Sequence, residues 1–214
     1  PKRDQLIASY KSIEEIRELS TIVLSPLEEP PQPGLTNDFS FWLKADDDLG
    51  DGVSEDSSGN GNDASCSGVV CPIQDINDKK FGNGSYVFNG NNYLESVNSN
   101  SLDIKGNKIS IAAWVKFNQN GEYNIIVGKP VNAGTHPAPY FSYSLQLDNG
   151  KNTKKPRFWI TTNGKSNVIT GKTQLNAGEW HHITGTYDGS RMKLFVNGIE
   201  TVSAIKNGNI NSYN

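Results

Sequence analysis

The chain has 214 residues and a formal net charge of −3, because 20 Lys and Arg stand against 23 Asp and Glu. With roughly 150 residues per domain as a guide, this length predicts one sizeable domain and an appendage. The acidic balance disfavours a nucleic-acid-binding protein, since the phosphate backbone attracts basic surfaces. Apolar runs stay well short of the ~18 residues that a spanning helix needs, so we predict no membrane span within this chain.

The N-terminal segment, residues 1–24, is predicted to be an amphipathic helix. Between residues 4 and 20, apolar side chains recur at helical spacing, namely Leu6, Ile7, Tyr10, Ile13, Ile16 and Leu19. A helix of this length is marginal alone, so it packs on the main domain, pairs with a sister helix or is the stump of an anchor helix. Residues 25–35 follow as a Pro-rich linker, which the proline content predicts to be extended.

The pattern changes from residue 36 onward to short apolar runs separated by Asn, Gly and Asp clusters. Many of these runs alternate apolar and polar residues, as half-buried strands do. The predicted strands include residues 39–43, 85–88, 109–115, 123–127, 140–147, 157–161, 182–187 and 193–196. The pairs Asp188-Gly189 and Asn197-Gly198 suit tight hairpins. We therefore predict an all-β fold, a two-sheet antiparallel sandwich, and exclude a parallel α/β fold.

Two cysteines, Cys66 and Cys71, lie five positions apart in a turn-like stretch. We interpret them as a short-loop disulfide, which indicates an oxidising compartment. The alternative is a pair of reduced thiols. Metal binding is disfavoured, because two thiolates need two further ligands and no His lies nearby in the sequence.

Five sequence blocks carry a family resemblance. They occupy residues 56–64, 81–94, 109–116, 178–189 and 194–198. In order and spacing they resemble the laminin-G-like jelly-roll domains of the concanavalin A-like lectin/glucanase superfamily. The stretch from Cys66 to Pro72 is also similar to such domains in archaeal and bacterial surface proteins. The resemblance implies a jelly roll in residues 36–214, located outside the cell or at its surface, that acts as a lectin-like binding or adhesion module.

The resemblance also implies a calcium site in the loop that begins Asp-Ser-Ser-Gly-Asn-Gly-Asn-Asp. Calcium takes six to eight oxygen ligands from carboxylates, amides and backbone carbonyls, which such a loop can supply. The predicted ligands are Asp56, Ser58, Gly59, Asn60, Asn62 and Asp63. The alternative is an Asx-rich turn that its own side chains hold together through hydrogen bonds to the backbone.

The end of the chain departs from the family pattern, because one or two final strands are expected and do not follow. Three explanations stay open: the sequence is truncated, residues 20–29 fill the gap, or a neighbouring chain donates a strand. The third would allow self-association through residues 4–24 and an open sheet edge.

Carbohydrate sites combine aromatic rings with amides and carboxylates that bind hydroxyl groups. By this criterion the candidate ligand-binding residues are Tyr93, Tyr123, His136, Tyr140, Trp159, Asn91, Asn92 and Asn163. A basic cluster, Lys151, Lys154, Lys155 and Arg157, is predicted to be a solvated hairpin, with contact to an anionic glycan as the alternative. The adjacent His181 and His182 are predicted to be structural, on opposite faces of a strand.

Enzyme activity is not predicted. Retaining glycosidases need two carboxyl groups about 5–5.5 Å apart, and in sandwich glucanases these stand on alternate residues of one strand, a pattern that is missing here. We therefore predict a non-catalytic extracellular carbohydrate-binding or adhesion domain of a surface protein, whose partner is a glycan or another surface protein. A structural subunit of a surface filament is the alternative, and a glycoside hydrolase or lyase is disfavoured.

Overall fold

In this computed structural model of the chain, the structure describes residues 21–24, 39–118, 124–131, 139–148 and 153–213. The described residues form β-strands and loops with one 3₁₀ turn, Gly68–Val70. They divide into two compact units, a C-terminal unit that contains Asp103–Asn214 and an N-terminal unit of Ile22–Leu102. The predicted all-β fold is confirmed.

The N-terminal unit is built from short strands around long loops. Its strands are β1 (Thr21–Leu24), β2 (Phe39–Trp42), β3 (Val53–Ser54), β4 (Ala64–Ser65), β5 (Ile73–Asp75), β6 (Ser85–Val87) and β7 (Glu95–Ser96). Neighbouring strands are β1 and β2, β3-β4-β7, and the β5–β6 hairpin. Strands of two or three residues bury little apolar surface, so side-chain hydrogen bonds carry much of the local order in this unit.

The C-terminal unit contains the longer strands. They are β8 (Ile109–Val115), β9 (Asn124–Pro130), β10 (Phe141–Leu147), β11 (Thr153–Lys154), β12 (Pro156–Thr162), β13 (Lys165–Thr170), β14 (Leu175–Asn176), β15 (His181–Tyr187), β16 (Arg191–Val196) and β17 (Ile199–Ile205). Within this unit one sheet has the order β17-β16-β15-β8 and a second has the order β13-β12-β10-β9, while β11 pairs with β14.

The two main sheets of the C-terminal unit pack face to face. Inward-facing side chains of both sheets are fully buried, among them Ile111, Phe158, Ile160, Ile183 and Leu194. At Gly185 on β15, an added Cβ would lie only 2.5 Å from the Phe158 ring on β12. The close approach of the sheets therefore requires glycine at this position. This is the β-sandwich that the alternating sequence pattern predicts.

The predicted strands and hairpins match the observed ones closely. The run at residues 109–115 is strand β8, and the run at 193–196 lies within β16. Val196 pairs with Ile199 across a two-residue turn. Both turn residues, Asn197 (φ 50°) and Gly198 (φ 80°), lie in the left-handed region that this kind of hairpin turn requires.

The N-terminal prediction differs from the structure. The segment 1–24 was predicted as one helix, yet Thr21–Leu24 is strand β1, and the β-branched Thr21, Ile22 and Val23 favour an extended backbone. The rest of that helix and most of the linker at 25–35 lie outside the described residues. Within the described part, no helix is long and apolar enough to cross a membrane.

Candidate functional site

The outer face of strand β12 carries polar and aromatic side chains. Because side chains alternate along a strand, the core-facing Phe158 and Ile160, both at 0% exposure, place Arg157 and Trp159 on the opposite side. On β10, Ser144 pairs with Trp159 and Gln146 pairs with Arg157. We call this surface of the β13-β12-β10-β9 sheet the outer face.

Three rings meet on the outer face and form the aromatic cluster, which consists of Tyr140, Phe141 and Trp159. The Tyr140 and Trp159 ring centroids lie 6.1 Å apart at 72°, and those of Phe141 and Trp159 lie 5.9 Å apart at 74°. Such edge-to-face pairs are a favoured aromatic geometry. Tyr140 is 45% exposed, so the cluster presents aromatic surface to solvent.

Glycine at position 128 lets the Phe141 ring lie against β9. A Cβ at Gly128 would lie 3.2 Å from two Phe141 ring carbons and from the Ser144 hydroxyl oxygen. Since such contacts are tighter than almost all real Cβ contacts, a larger residue would displace the ring. Gly128 therefore helps to set the position of the aromatic cluster.

One hydrogen-bond donor in the cluster is unused. The indole Nε1 of Trp159 is buried and has no hydrogen-bond partner. Beside it, the Gln146 side-chain amide donates to the Ser144 hydroxyl over 2.8 Å. A buried N–H without an acceptor costs free energy, and an oxygen-rich ligand at this face would supply that acceptor.

The loop at residues 56–63 is arranged differently, because its central carboxylate is fully engaged. Asp56 Oδ1 accepts the backbone N–H groups of Trp42 (2.9 Å) and Ser58 (3.0 Å). Its Oδ2 accepts the Ser58 hydroxyl (2.6 Å) and the Asn62 N–H (3.0 Å). These four donors occupy the lone pairs of both oxygens.

The neighbouring side chains of this loop also bind within the N-terminal unit. The Asn62 amide donates to Ser40 O (2.6 Å) and its Oδ1 accepts the Ser99 hydroxyl (2.6 Å). Asn60 donates to Phe39 O (2.6 Å), and Asp63 Oδ1 accepts the Asp56 N–H (2.8 Å). This arrangement is the hydrogen-bonded Asx turn that the sequence allows.

Calcium does not fit Asp56 in this arrangement, since a cation there would displace hydrogen-bond donors. Across the described residues, no group of three or more His, Cys, Asp or Glu side chains is placed to hold a metal ion. Calcium binding by Asp56, Ser58, Gly59, Asn60, Asn62 and Asp63 stays an untested prediction, and the hydrogen bonds of the loop favour its alternative, the Asx-rich turn.

A family model described as the concanavalin A-like lectin/glucanases superfamily, of the laminin G type, matches residues 88–214. The chain belongs to this superfamily. The match covers Asp103–Asn214 of the C-terminal unit, including the strands that form the outer face. The resemblance drawn from the sequence blocks is thereby confirmed. No curated protein matches the sequence.

Two solved structures resemble this superfamily domain. Domain 4 of AbnA, a GH43 extracellular arabinanase from Geobacillus stearothermophilus solved with arabinotriose, is 18% identical with a TM-score of 0.51, covering 74% of this chain and 72% of that one. A Bacteroides ovatus protein provisionally described as carbohydrate binding is 14% identical, has a TM-score of 0.37 and matches 50% of this chain. The chain covers 28% of that second protein. At 18% identity, the likeness to Domain 4 of AbnA shows a shared fold and no more.

The predicted ligand residues do not all come together. Of the eight, Tyr140 and Trp159 meet on the outer face. Tyr123 and His136 lie outside the described residues. Asn163 sits in the two-residue β12–β13 turn with φ 52°, a position that suits Asn for backbone reasons.

The other three predicted ligand residues belong to a loop of the N-terminal unit. Asn92 accepts the Asn89 N–H (2.7 Å) and donates to Cys71 O (3.0 Å). Asn91 is exposed, and Tyr93 is 53% exposed while its N–H donates to Val70 O. These three residues belong to the N-terminal unit, whereas the aromatic cluster belongs to the C-terminal unit.

Cys66 and Cys71 form the predicted disulfide. It closes a loop of six residues around the 3₁₀ turn. Asn92 and Tyr93 both bond to carbonyl groups of this loop. The disulfide thus stabilises the segment against which residues 89–93 are ordered.

The prediction that the basic cluster forms a solvated hairpin is wrong for Lys154. Lys154 is fully buried, with its Nζ 3.3 Å from Asp148 O and 6.0 Å from the Phe117 ring centroid. The carbonyl and the ring face attract the ammonium group and offset part of the cost of its burial. Lys151 lies outside the described residues, and Arg157 stands on the outer face.

Several residues of the outer face were not identified from the sequence, namely Gly128, Phe141, Ser144 and Gln146. The alternation of side chains along a strand would have placed Arg157 on the same face as Trp159. The residues that face them on β10 depend instead on the register between the strands. That register includes an irregularity between Phe141 and Tyr143, which a sequence pattern does not reveal.

The histidines of β15 lie on opposite faces of the strand, as predicted. His181 pairs with Val115 and His182 with Trp114, and adjacent strand residues point to opposite faces. The His182 and Trp114 rings lie 5.1 Å apart. Burial lowers the pKa of His182 to about 4, so this ring is neutral at pH 7.

Proposed function

We propose that this chain is a non-catalytic carbohydrate-binding domain of an extracellular surface protein, and that the outer face is its binding surface. The observation that carries the proposal is the aromatic cluster with its unused donor. Tyr140 offers exposed ring area for stacking on a sugar, and Trp159 Nε1 offers a buried N–H for a sugar oxygen.

The fold likeness supports this proposal. Domain 4 of AbnA shares the fold at a TM-score of 0.51 and was solved with arabinotriose. A domain of this architecture can therefore bind an oligosaccharide. The residues that would do so in this chain are argued from its own geometry.

A binding role without catalysis is supported by the composition of the outer face. The strands β9, β10, β12 and β13 contain no Asp or Glu. Glycoside hydrolysis with retention or inversion needs a carboxylic acid and a second carboxylate flanking the scissile bond. The four strands supply neither group.

An extracellular location is supported by the Cys66–Cys71 disulfide, because such bonds persist in oxidising compartments. Adhesion through a surface protein, and the filament role, depend on residues 1–20 and on the surroundings of the chain. Both stay predictions.

The experiment is a glycan panel followed by calorimetric titration of the binding glycan. We expect Tyr140→Ala to weaken binding by about 10-fold, since one stacking contact is worth roughly 1–1.5 kcal/mol. Tyr93→Ala is the matched control, because Tyr93 is as exposed (53% against 45%) but lies in the N-terminal unit. If Tyr93→Ala loses binding and Tyr140→Ala keeps it, the binding site lies in the N-terminal unit instead of on the outer face. If no glycan of the panel binds, the proposal is rejected.

A further inference from the structure

We propose that the glycan recognised at the outer face is acidic, and that Arg157 binds its carboxylate or sulfate group. This inference rests on the proposed function and adds the chemical class of the ligand. The guanidinium of Arg157 and the indole of Trp159 would contact one sugar residue or two consecutive ones.

Arg157 is placed beside the aromatic cluster by the strand itself. It stands two residues before Trp159 on β12, so both side chains leave the sheet on the outer face. Its cross-strand neighbours are Gln146 on β10 and Thr170 on β13. The cation is therefore flanked by neutral polar groups that can bind sugar hydroxyls.

Within the described part of the chain, Arg157 has no hydrogen bond or ion pair, whereas three other cations of the C-terminal unit are partnered. Lys129 lies 3.2 Å from Asp103, and Lys193 lies 3.6 Å from Glu200. Arg191 donates to Ser203 over 3.4 Å. Arg157 is nevertheless half-buried, and a half-buried guanidinium gains most from a charged partner.

No acidic side chain on the four strands competes for this cation, since β9, β10, β12 and β13 contain no Asp or Glu. The nearest acid along β10 is Asp148, which follows the strand and accepts the Lys155 N–H over 2.8 Å. The charged residues of these four strands, Lys129, Arg157 and Lys165, are therefore all basic, although the whole chain has a net charge of −3.

An acidic sugar fits these groups together. The planar guanidinium presents a fork of N–H donors to an oxygen pair, and such charge-assisted bonds are roughly twice as strong as neutral ones. The sugar ring can lie against the aromatic cluster while a ring or hydroxyl oxygen accepts the unused Trp159 N–H. A neutral glycan would leave the guanidinium without its counter-charge.

The test compares acidic polysaccharides with neutral forms of the same backbone. Uronic-acid polymers (polygalacturonate, alginate and hyaluronate) are paired with their carboxyl-reduced forms, and sulfated polymers (heparin and a carrageenan) with their desulfated forms. Binding to the full chain is measured at about 0.05 M and about 0.5 M NaCl. We expect an acidic polymer to bind at least about 10-fold more tightly than its neutral pair, with weaker binding at high salt. If the difference appears between a uronic-acid polymer and its carboxyl-reduced form, Arg157 binds a carboxylate; if it appears between a sulfated polymer and its desulfated form, Arg157 binds a sulfate.

Arg157→Gln is expected to reduce affinity for the acidic polymer by about 10- to 100-fold and to abolish its salt dependence, while Arg157→Lys keeps part of both. Arg191→Gln is the matched control and should bind as the wild type does. Equal binding of neutral and acidic forms, or an Arg157→Gln variant with unchanged affinity, would overturn this inference while leaving carbohydrate binding intact. If neither the acidic nor the neutral polymers bind to the chain, both this inference and the proposed carbohydrate-binding function are rejected.

Discussion

The loop at residues 56–63 and the outer face of β12 use their polar groups in opposite ways. In the loop, both oxygens of Asp56 accept two hydrogen bonds each from its own unit. On the outer face, Trp159 Nε1 has no partner and the Arg157 guanidinium has none among the described residues. The loop is the more conspicuous motif in the sequence, yet its polar groups bind one another, whereas the outer face keeps two donor groups without partners among the described residues.

Asp56→Ala gives the largest effect that this comparison predicts. The variant leaves three backbone N–H groups and one hydroxyl without their acceptor, so we expect a loss of about 3–5 kcal/mol in the free energy of unfolding. Urea denaturation measures it. In the control, Asp48→Ala, the carboxylate accepts only the Gly50 N–H at the surface, and the loss should stay below about 1 kcal/mol. Equal losses in both variants would contradict the role assigned to Asp56.

The second prediction concerns the pH dependence of stability, which His182 sets in the C-terminal unit. His182 has a folded pKa of about 4, below the value of about 6.5 in the unfolded chain. The unfolded state therefore binds more protons between these values, and stability falls as pH drops from about 6.5 to 4, by about 2 kcal/mol.

Denaturant titrations at pH 7, 5.5 and 4 measure this loss, and His182→Gln should remove most of it. Asp103 and Asp188 have lowered pKa values in the folded protein. Their contributions to stability are lost only when the pH falls below the usual carboxyl pKa, so they do not add to the loss between about pH 6.5 and 4. A His182→Gln variant with an undiminished pH dependence would refute the assignment.

The disulfide gives the next effect, and it acts on the N-terminal unit. Closing a six-residue loop between Cys66 and Cys71 restricts the unfolded chain by about 2 kcal/mol in the loop-entropy model. The Cys66→Ser/Cys71→Ser double variant should lose that amount of stability while binding glycans at the outer face with unchanged affinity. Loss of glycan binding in this variant would instead place the ligand near residues 66–93.

Much of the fold was predictable because alternation and turn residues are local signals. The strand at 109–115 and the Asn197-Gly198 hairpin follow from residues close in sequence. The outer face was not predictable, since Ser144 and Gln146 reach Trp159 and Arg157 only through cross-strand register. Asn163 was predicted as a ligand residue although its turn position accounts for it, because an Asn-Gly pair looks the same in a binding loop and in a hairpin.

Calcium gives the smallest expected effect. Because Asp56 has no free lone pair in this arrangement, millimolar CaCl₂ or EDTA should leave Tm within about 1 °C of its value in plain buffer. Differential scanning fluorimetry measures the shift. A stabilisation of several degrees by calcium would show that the ion binds the native state and that the loop rearranges to hold it.

The most direct measurement follows the indole N–H resonances of the four tryptophans in ¹H–¹⁵N NMR spectra during titration with the glycan that binds best in the panel. Trp159→Phe assigns the resonance of interest and keeps an aromatic ring in the cluster. Our account predicts that the Trp159 Nε1 resonance shifts with the calorimetric affinity, while that of Trp42 in the N-terminal unit stays in place. A saturating glycan that shifts Trp42 and leaves Trp159 unmoved would contradict binding at the outer face.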